Sequence, residues 1–182
     1  MKMTNQRTGA LLRFFPLLMV CYEISAYLSN DMYLSALPQM AIDFNITQHI
    51  AQLTLTAWFL GAASMQLILG PASDQYGRRP VLLLGGLCFV IAAVVSALTT
   101  DLTTLLISRF FQGCATCSVV VAGYAAIHEL YEHKEAIRVL ARMSSITILA
   151  PALGPLVGGL ILQTVGWRFI FWGWLFLQLL HY

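Results

Sequence analysis

Four stretches of this chain, Phe44 to Ser73, Pro80 to Thr100, Phe110 to Ile127 and Met143 to Trp167, contain no Asp, Glu, Lys or Arg. Each is near or above the roughly 18 residues that mark a membrane span. Inside hydrocarbon the backbone has no water to bond, so such runs form helices whose amides satisfy one another. The rest of the composition agrees. Hydrophobic residues make up 59% and charged residues 10%, with a mean hydropathy of +0.77, whereas about a quarter of a soluble domain is charged. With a first apolar run from about Phe14 and a last one after Arg168, the sequence predicts six spans. The expected fold is all-α, a polytopic transmembrane helical bundle forming one domain over residues 1–182.

The cations orient the bundle. Lys2, Arg7 and Arg13 precede the first span, Arg78 and Arg79 lie between the second and third, and Lys134, Arg138 and Arg142 lie between the fourth and fifth. Only Arg168 falls in the alternate loops, and Arg109 lies within the fourth span. The excess of positive charge on alternate loops predicts a cytoplasmic N-terminus. The net charge of +2 follows from this distribution. With basic residues divided among three loops and no basic face, nucleic-acid binding is excluded.

Proline and glycine punctuate the expected helices. The first runs from about Phe14 to Leu37 and is closed by Pro38. The second covers about Ile50 to Leu69 and presents Gly61, Ala62, Ala63 and Ser64 as a packing face. An inner turn from Gly70 to Pro80 leads into the third, which ends near Leu98. A connection of a few residues around Asp101 makes the third and fourth helices antiparallel neighbours. The fourth extends from about Thr104 to Ile127. The fifth, about Val139 to Leu162, is kinked by the Pro- and Gly-rich stretch Ala150 to Gly159, and Gly166-Trp167-Arg168 turns the outer corner. Trp167, Trp172 and Trp174 suit interfacial or packing roles. The sixth helix reaches Tyr182 after about 15 residues, short of the roughly 20 of a full span, so the expected product is cut off there.

Chemistry concentrates in Tyr22 to Tyr33. Glu23 and Asp31 sit in an apolar helix, and at about 100° per residue Tyr27, Asn30 and Asp31 lie at about 40°, −20° and 80° from Glu23. An acidic side chain at mid-span costs on the order of 3 kcal/mol on insertion scales, so such residues face a protein interior or a watery cavity and mark ion or substrate routes. The competing account is burial for packing alone, which two acids on one stripe make costlier. Arg109 either snorkels to the interface or holds a fixed positive charge toward the interior; Gln112 and Gly113 in the next turn favour the interior. His128, Glu129, Glu132, His133 and Glu135 read as a solvated inner loop. Cys21, Cys88, Cys114 and Cys117 all fall in spans and act as small apolar residues. Cys114 and Cys117 lack the second pair or histidine that a metal site needs. No nucleophile with a base, phosphate-cradling loop or metal set points to an enzyme.

Three motifs carry a resemblance. Gly70-Pro-Ala-Ser-Asp74-Gln-Tyr-Gly77-Arg78-Arg79-Pro80 resembles the signature between the second and third helices of the major facilitator superfamily. Arg109-Phe-Phe-Gln112-Gly113 resembles its fourth-helix motif. Pro151, Gly154, Pro155, Gly158 and Gly159 resemble the fifth-helix motif of its drug:proton antiporters. Gln75 and Ala150 depart from the pattern, where the signatures have a basic residue and a glycine. The resemblance implies the N-terminal six-helix half of a twelve-helix transporter in the bacterial inner membrane. It implies proton-coupled efflux of lipophilic cationic and neutral drugs, powered by the proton gradient without a cofactor. Its implied partners are drugs, protons, the lipid bilayer and a second six-helix half. Glu23 and Asp31 are then the coupling carboxylates, with Tyr27, Asn30, Arg109 and Tyr124 in the pocket, and Asp74 and Arg78 belong to an inner latch between the halves. A transporter of a small metabolite and a non-transporting piece are the alternatives that the residues leave open.

Overall fold

The structure, a computed structural model, describes residues 3–179, with side chains at 15–24, 27, 28 and 30–173. The side chains of Lys2, Arg7, Arg13 and Trp174, and the end of the sixth helix at Tyr182, lie outside the described residues. The described chain is helical almost throughout: α1 Met3–Asp43, α2 Gln48–Tyr76, α3 Arg78–Leu98, α4 Leu102–Ser118, a π-helical turn Val119–Gly123, α5 Tyr124–Leu130, α6 His133–Thr147, α7 Leu149–Thr164 and α8 Arg168–Leu179. Four continuous segments are long and apolar enough to cross a membrane, namely Gln48–Tyr76, Arg78–Leu98, Leu102–Leu130 and His133–Thr164. In α1, which carries Glu23 and Asp31, the shorter apolar stretch is Phe15–Ile24.

Proline does less to these helices than the sequence suggests. Pro16 and Pro38 both lie inside α1, which continues to Asp43, so Pro38 does not close it. A proline removes a single helical amide, while Leu37, Met40 and Ala41 on either side of Pro38 are buried in the core and hold the helix together. The loop after α1 shrinks to Phe44–Thr47, turned by Asn45 at φ 53°. Pro71 is likewise inside α2. The expected inner turn from Gly70 to Pro80 is confined to Gly77, whose φ of 92° suits a residue without a side chain. Between α5 and α6 only Tyr131 and Glu132 are non-helical, which replaces the expected inner loop from His128 to Glu135.

The break in the fifth span falls at Ile148, between α6 and α7, three residues before Pro151. The interruption thus precedes the stretch Ala150 to Gly159 that was expected to kink the helix, Pro155 within that stretch stands inside α7, and the segment begins six residues earlier than Val139. The fourth span contains the π turn, which the sequence did not announce. At the opposite end from Gly77, the Asp101 carboxylate accepts from the Thr104 amide at 2.9 Å, an N-cap that starts α4.

Small residues set the packing. A Cβ on Gly61 would run into the Phe110 carbonyl, and one on Gly113 into the Trp58 carbonyl, so α2 and α4 lie backbone to backbone. Gly154 and Gly158 meet the backbone of Asp31 and Met32 in the same way, and Ser35 donates to the Pro155 carbonyl at 3.1 Å. This joins α7 to α1. Gly159 has open space, and Pro151 is exposed. One apolar cluster gathers Met32, Tyr33, Leu37, Met40, Phe89, Leu105, Trp167 and Phe171 toward the Asp101 end. A smaller one, Val20, Ile127, Ala136 and Met143, lies toward the Gly77 end.

Candidate functional site

Polar side chains are inserted between these clusters. Arg109 is 0% exposed, which rules out the snorkelling alternative. It donates to Gln112 Oε1 at 2.8 Å and Asn30 Oδ1 at 2.9 Å, and its guanidinium carbon stands 4.2 Å from the Tyr33 ring centroid. Tyr33 in turn donates to Thr54 Oγ1 at 2.7 Å, and Thr54 to the Ala51 carbonyl at 2.6 Å. Helical spacing explains the convergence: Asn30 and Tyr33 are three apart on α1, as are Arg109 and Gln112 on α4, so each pair shares a face. Two charge-assisted hydrogen bonds and a desolvated cation–π contact, worth about 2 kcal/mol, offset the cost of burying the guanidinium.

Glu23, 2% exposed, lies about two turns along α1 from Asn30, toward the Gly77 end. Tyr27 of α1 and Tyr124 of α5 face its carboxylate, with Ser144 of α6 beyond Tyr124. Neither carboxylate oxygen closes a hydrogen bond of regular geometry among the described residues. Asp31 is half-buried and stands against Gly154 at the α1–α7 crossing. The stripe expected from α1 alone therefore divides. Glu23, Tyr27 and Tyr124 make one group, Asn30, Arg109 and Gln112 another, and Asp31 turns toward α7. Two surface grooves, about 480 Å³ between α3 and α4 and about 600 Å³ between α1, α5 and α6, are lined by neither acid.

Tyr33, Thr54 and Ser144 were not singled out by sequence. Tyr33 is legible in hindsight as an aromatic one turn beyond Asn30. Thr54 and Ser144 come from other helices and carry no such signal.

The glycine-rich signature builds a polar cluster at the Gly77 end. Arg78 reaches Asp74 Oδ1 at 2.5 Å and Glu129 Oε1 at 2.8 Å, donates to Glu129 again from Nε at 3.1 Å, and donates to the Ser73 hydroxyl. The ends of α2, α3 and α5 are thereby tied. Glu129 is thus a partner of the signature arginine as well as a solvated residue. Arg79 is exposed. At the other end Trp167 Nε1 donates to Asp43 Oδ2 at 2.7 Å, and Arg168 stacks over the Trp167 ring at 4.4 Å. Trp167 is buried, so it packs within the bundle.

Backbone-close glycine crossings, a buried arginine and a charged turn after the second helix define a polytopic helical bundle of the membrane-spanning kind. Residues 19–180 match the model of the Major Facilitator Superfamily, and the chain belongs to that superfamily. It is 35% identical over 167 residues to the multidrug resistance protein MdtM of Salmonella typhimurium, covering 92% of this chain and 40% of that protein. It is 37% identical over 181 residues to the chloramphenicol resistance protein CraA of Acinetobacter baumannii, covering 98% and 43%. Against the multidrug transporter MdfA of Edwardsiella piscicida the identity is 34% over 168 residues, covering 92% and 41%. The chain thus spans about two fifths of the length of these curated relatives. Among solved structures, the proton:xylose symporter XylE superposes with a TM-score of 0.81 at 15% identity, covering 96% of this chain and 44% of that one. That likeness concerns the fold.

Proposed function

We propose that the chain is the N-terminal six-helix half of a proton-coupled transporter that expels lipophilic cationic and neutral drugs across a bacterial inner membrane, with its N-terminus in the cytoplasm. The names of the relatives, multidrug resistance, chloramphenicol resistance and multidrug transporter, support the substrate class. One observation of the structure carries the chemistry: Glu23 is an acid 2% exposed inside an apolar bundle, faced by two phenols.

An ionised carboxylate removed from water carries a desolvation cost. A proton and a lipophilic cation each lower that cost, so the two compete for Glu23 and Asp31. In this scheme a proton arriving from outside displaces the drug, and its release to the cytoplasm restores the charge that attracts the next one. Each proton moved inward contributes about 2.3 kcal/mol per 100 mV, and no cofactor takes part. Tyr27 and Tyr124 offer aromatic surface with few fixed polar demands, in keeping with broad specificity. Arg109, anchored by Asn30 and Gln112, supplies a fixed counter-charge. Asp74 and Arg78 belong to a latch against the second half, which together with protons, drug and lipid is the partner of this chain.

The test uses the chain joined to a second six-helix half, in everted vesicles. Glu23→Gln combined with Asp31→Asn is expected to abolish drug-induced proton release and drug accumulation. Undiminished transport in the double variant refutes the assignment.

A further inference from the structure

A proton held by Glu23 needs a way out. Both carboxylate oxygens are closed off from the surface. Of the cations on neighbouring helices, Arg109 is held by Asn30 and Gln112, and Arg138 and Arg142 of α6 are exposed. What faces the Glu23 carboxylate is the phenols of Tyr27 and Tyr124.

Tyr124 leads onward. It stands between Glu23 on one side and the Ser144 hydroxyl of α6 on the other, and Ser144 is exposed. Two features of the helices bring this about. The π turn Val119–Gly123 ends immediately before Tyr124; its extra residue turns every later side chain by about 100° relative to an unbroken α-helix. Serine inside a helix commonly bonds back to its own backbone, as Ser64, Ser96, Ser118 and Ser145 do at 2.7–2.9 Å. Ser144 is turned to a phenol on another helix instead.

We propose, resting on the transport reading above, that Tyr124 and Ser144 are the proton outlet of Glu23. The Glu23 O–H bond breaks as its proton joins the Tyr124 oxygen, the phenol's own proton passes to Ser144 Oγ, and the serine's own proton leaves to water at the exposed face. Each hydroxyl gains one proton and loses one, so no phenolate forms, and the net change is one proton moved from Glu23 to water. Contacts of this kind tighten when the proton moves.

The test is stopped-flow measurement, with a pH dye, of the protons released when tetraphenylphosphonium is added to the chain joined to a second six-helix half. Ser144→Ala and Tyr124→Phe are each expected to slow release by about tenfold or more without lowering its final amount, and the double variant is no slower than either single one, because both groups lie on one route. Ser144→Thr, which keeps the hydroxyl, restores the rate. Ser145→Ala, one residue away and bonded to its own helix, leaves the rate as it was. Release that is abolished by Glu23→Gln yet keeps its rate in Ser144→Ala and Tyr124→Phe overturns the outlet and leaves the transport reading standing. Slowing by Tyr27→Phe but not by Ser144→Ala overturns it too, placing the exit at Tyr27, which is 36% exposed. Absence of any release from the unaltered protein refutes the transport reading, and the outlet with it.

Discussion

Alanine at Gly113 is the most direct probe of how this bundle is held together. A Cβ placed there lies inside contact distance of the Trp58 carbonyl oxygen, 2.8 Å from its carbon and 3.0 Å from the Ala62 amide nitrogen. All three are backbone atoms of α2, so no side chain can swing aside. Restoring about 3.5 Å to the carbonyl carbon requires α2 and α4 to separate by on the order of 0.7 Å, and relieving the oxygen requires more. A gap of that size forfeits a quarter to a half of each dispersion contact along the seam, including the reciprocal one between Gly61 and Phe110. The cost sits at the upper end of overpacking, about 3 kcal/mol. Against it stands the gain of about 1 kcal/mol in helix propensity from Gly to Ala, leaving about 2 kcal/mol of net destabilisation.

Gly159 supplies the control. It lies in α7 with nothing within 4 Å of its added Cβ, so Gly159→Ala collects the propensity gain without the clash and stabilises by up to about 1 kcal/mol. The two variants make the same chemical change and are expected to differ by about 3 kcal/mol. Unfolding of the purified chain in mixed micelles, titrated with sodium dodecyl sulfate and followed by circular dichroism, measures that difference. Equal midpoints for Gly113→Ala and Gly159→Ala would show that α2 and α4 are not in backbone contact.

Two further outcomes follow from the side-chain networks. A double-mutant cycle of Arg78→Gln and Glu129→Gln is expected to give a coupling of only about 0.5–1 kcal/mol, because these side chains are 21% and 59% exposed; 1 M salt should reduce it, and a coupling above about 2 kcal/mol contradicts the exposed geometry. Tyr33→Phe removes the hydroxyl bonded to Thr54 and is expected to cost about 1 kcal/mol in the same unfolding assay. Tyr33→Leu also removes the ring above Arg109 and should cost about 2 kcal/mol more, so equal losses would refute the cation–π role.

Individual residues show where sequence was informative. The small residues Gly61, Gly113, Gly154 and Gly158 were legible as close-packing positions, since little else in a membrane lets two helices approach. Their partners were not legible, because nothing local says that Gly61 meets Phe110 or that Gly154 meets Asp31. Pro38 was misleading as a helix end, and Pro71 stands inside α2 where an inner turn was expected. A proline deletes one hydrogen bond wherever it stands, and whether the helix survives depends on burial around it. Glu129 looked like any solvated acid until folding brought the Arg78 side chain to it across 51 residues.

By itself, then, the sequence determined that this protein lives in a bilayer as a set of helices, since charge-free runs of that length have no other stable home. It also determined that Glu23, Asp31 and Arg109 are the costly exceptions. The tertiary structure alone decided how those exceptions are grouped: Arg109 with Asn30, Gln112 and Tyr33, Glu23 with Tyr27 and Tyr124, and Asp31 against α7. Helical periodicity places residues around one axis. Which residues then meet across axes depends on where small side chains let two backbones come together, and that is a property of pairs of helices that no single stretch of chain contains.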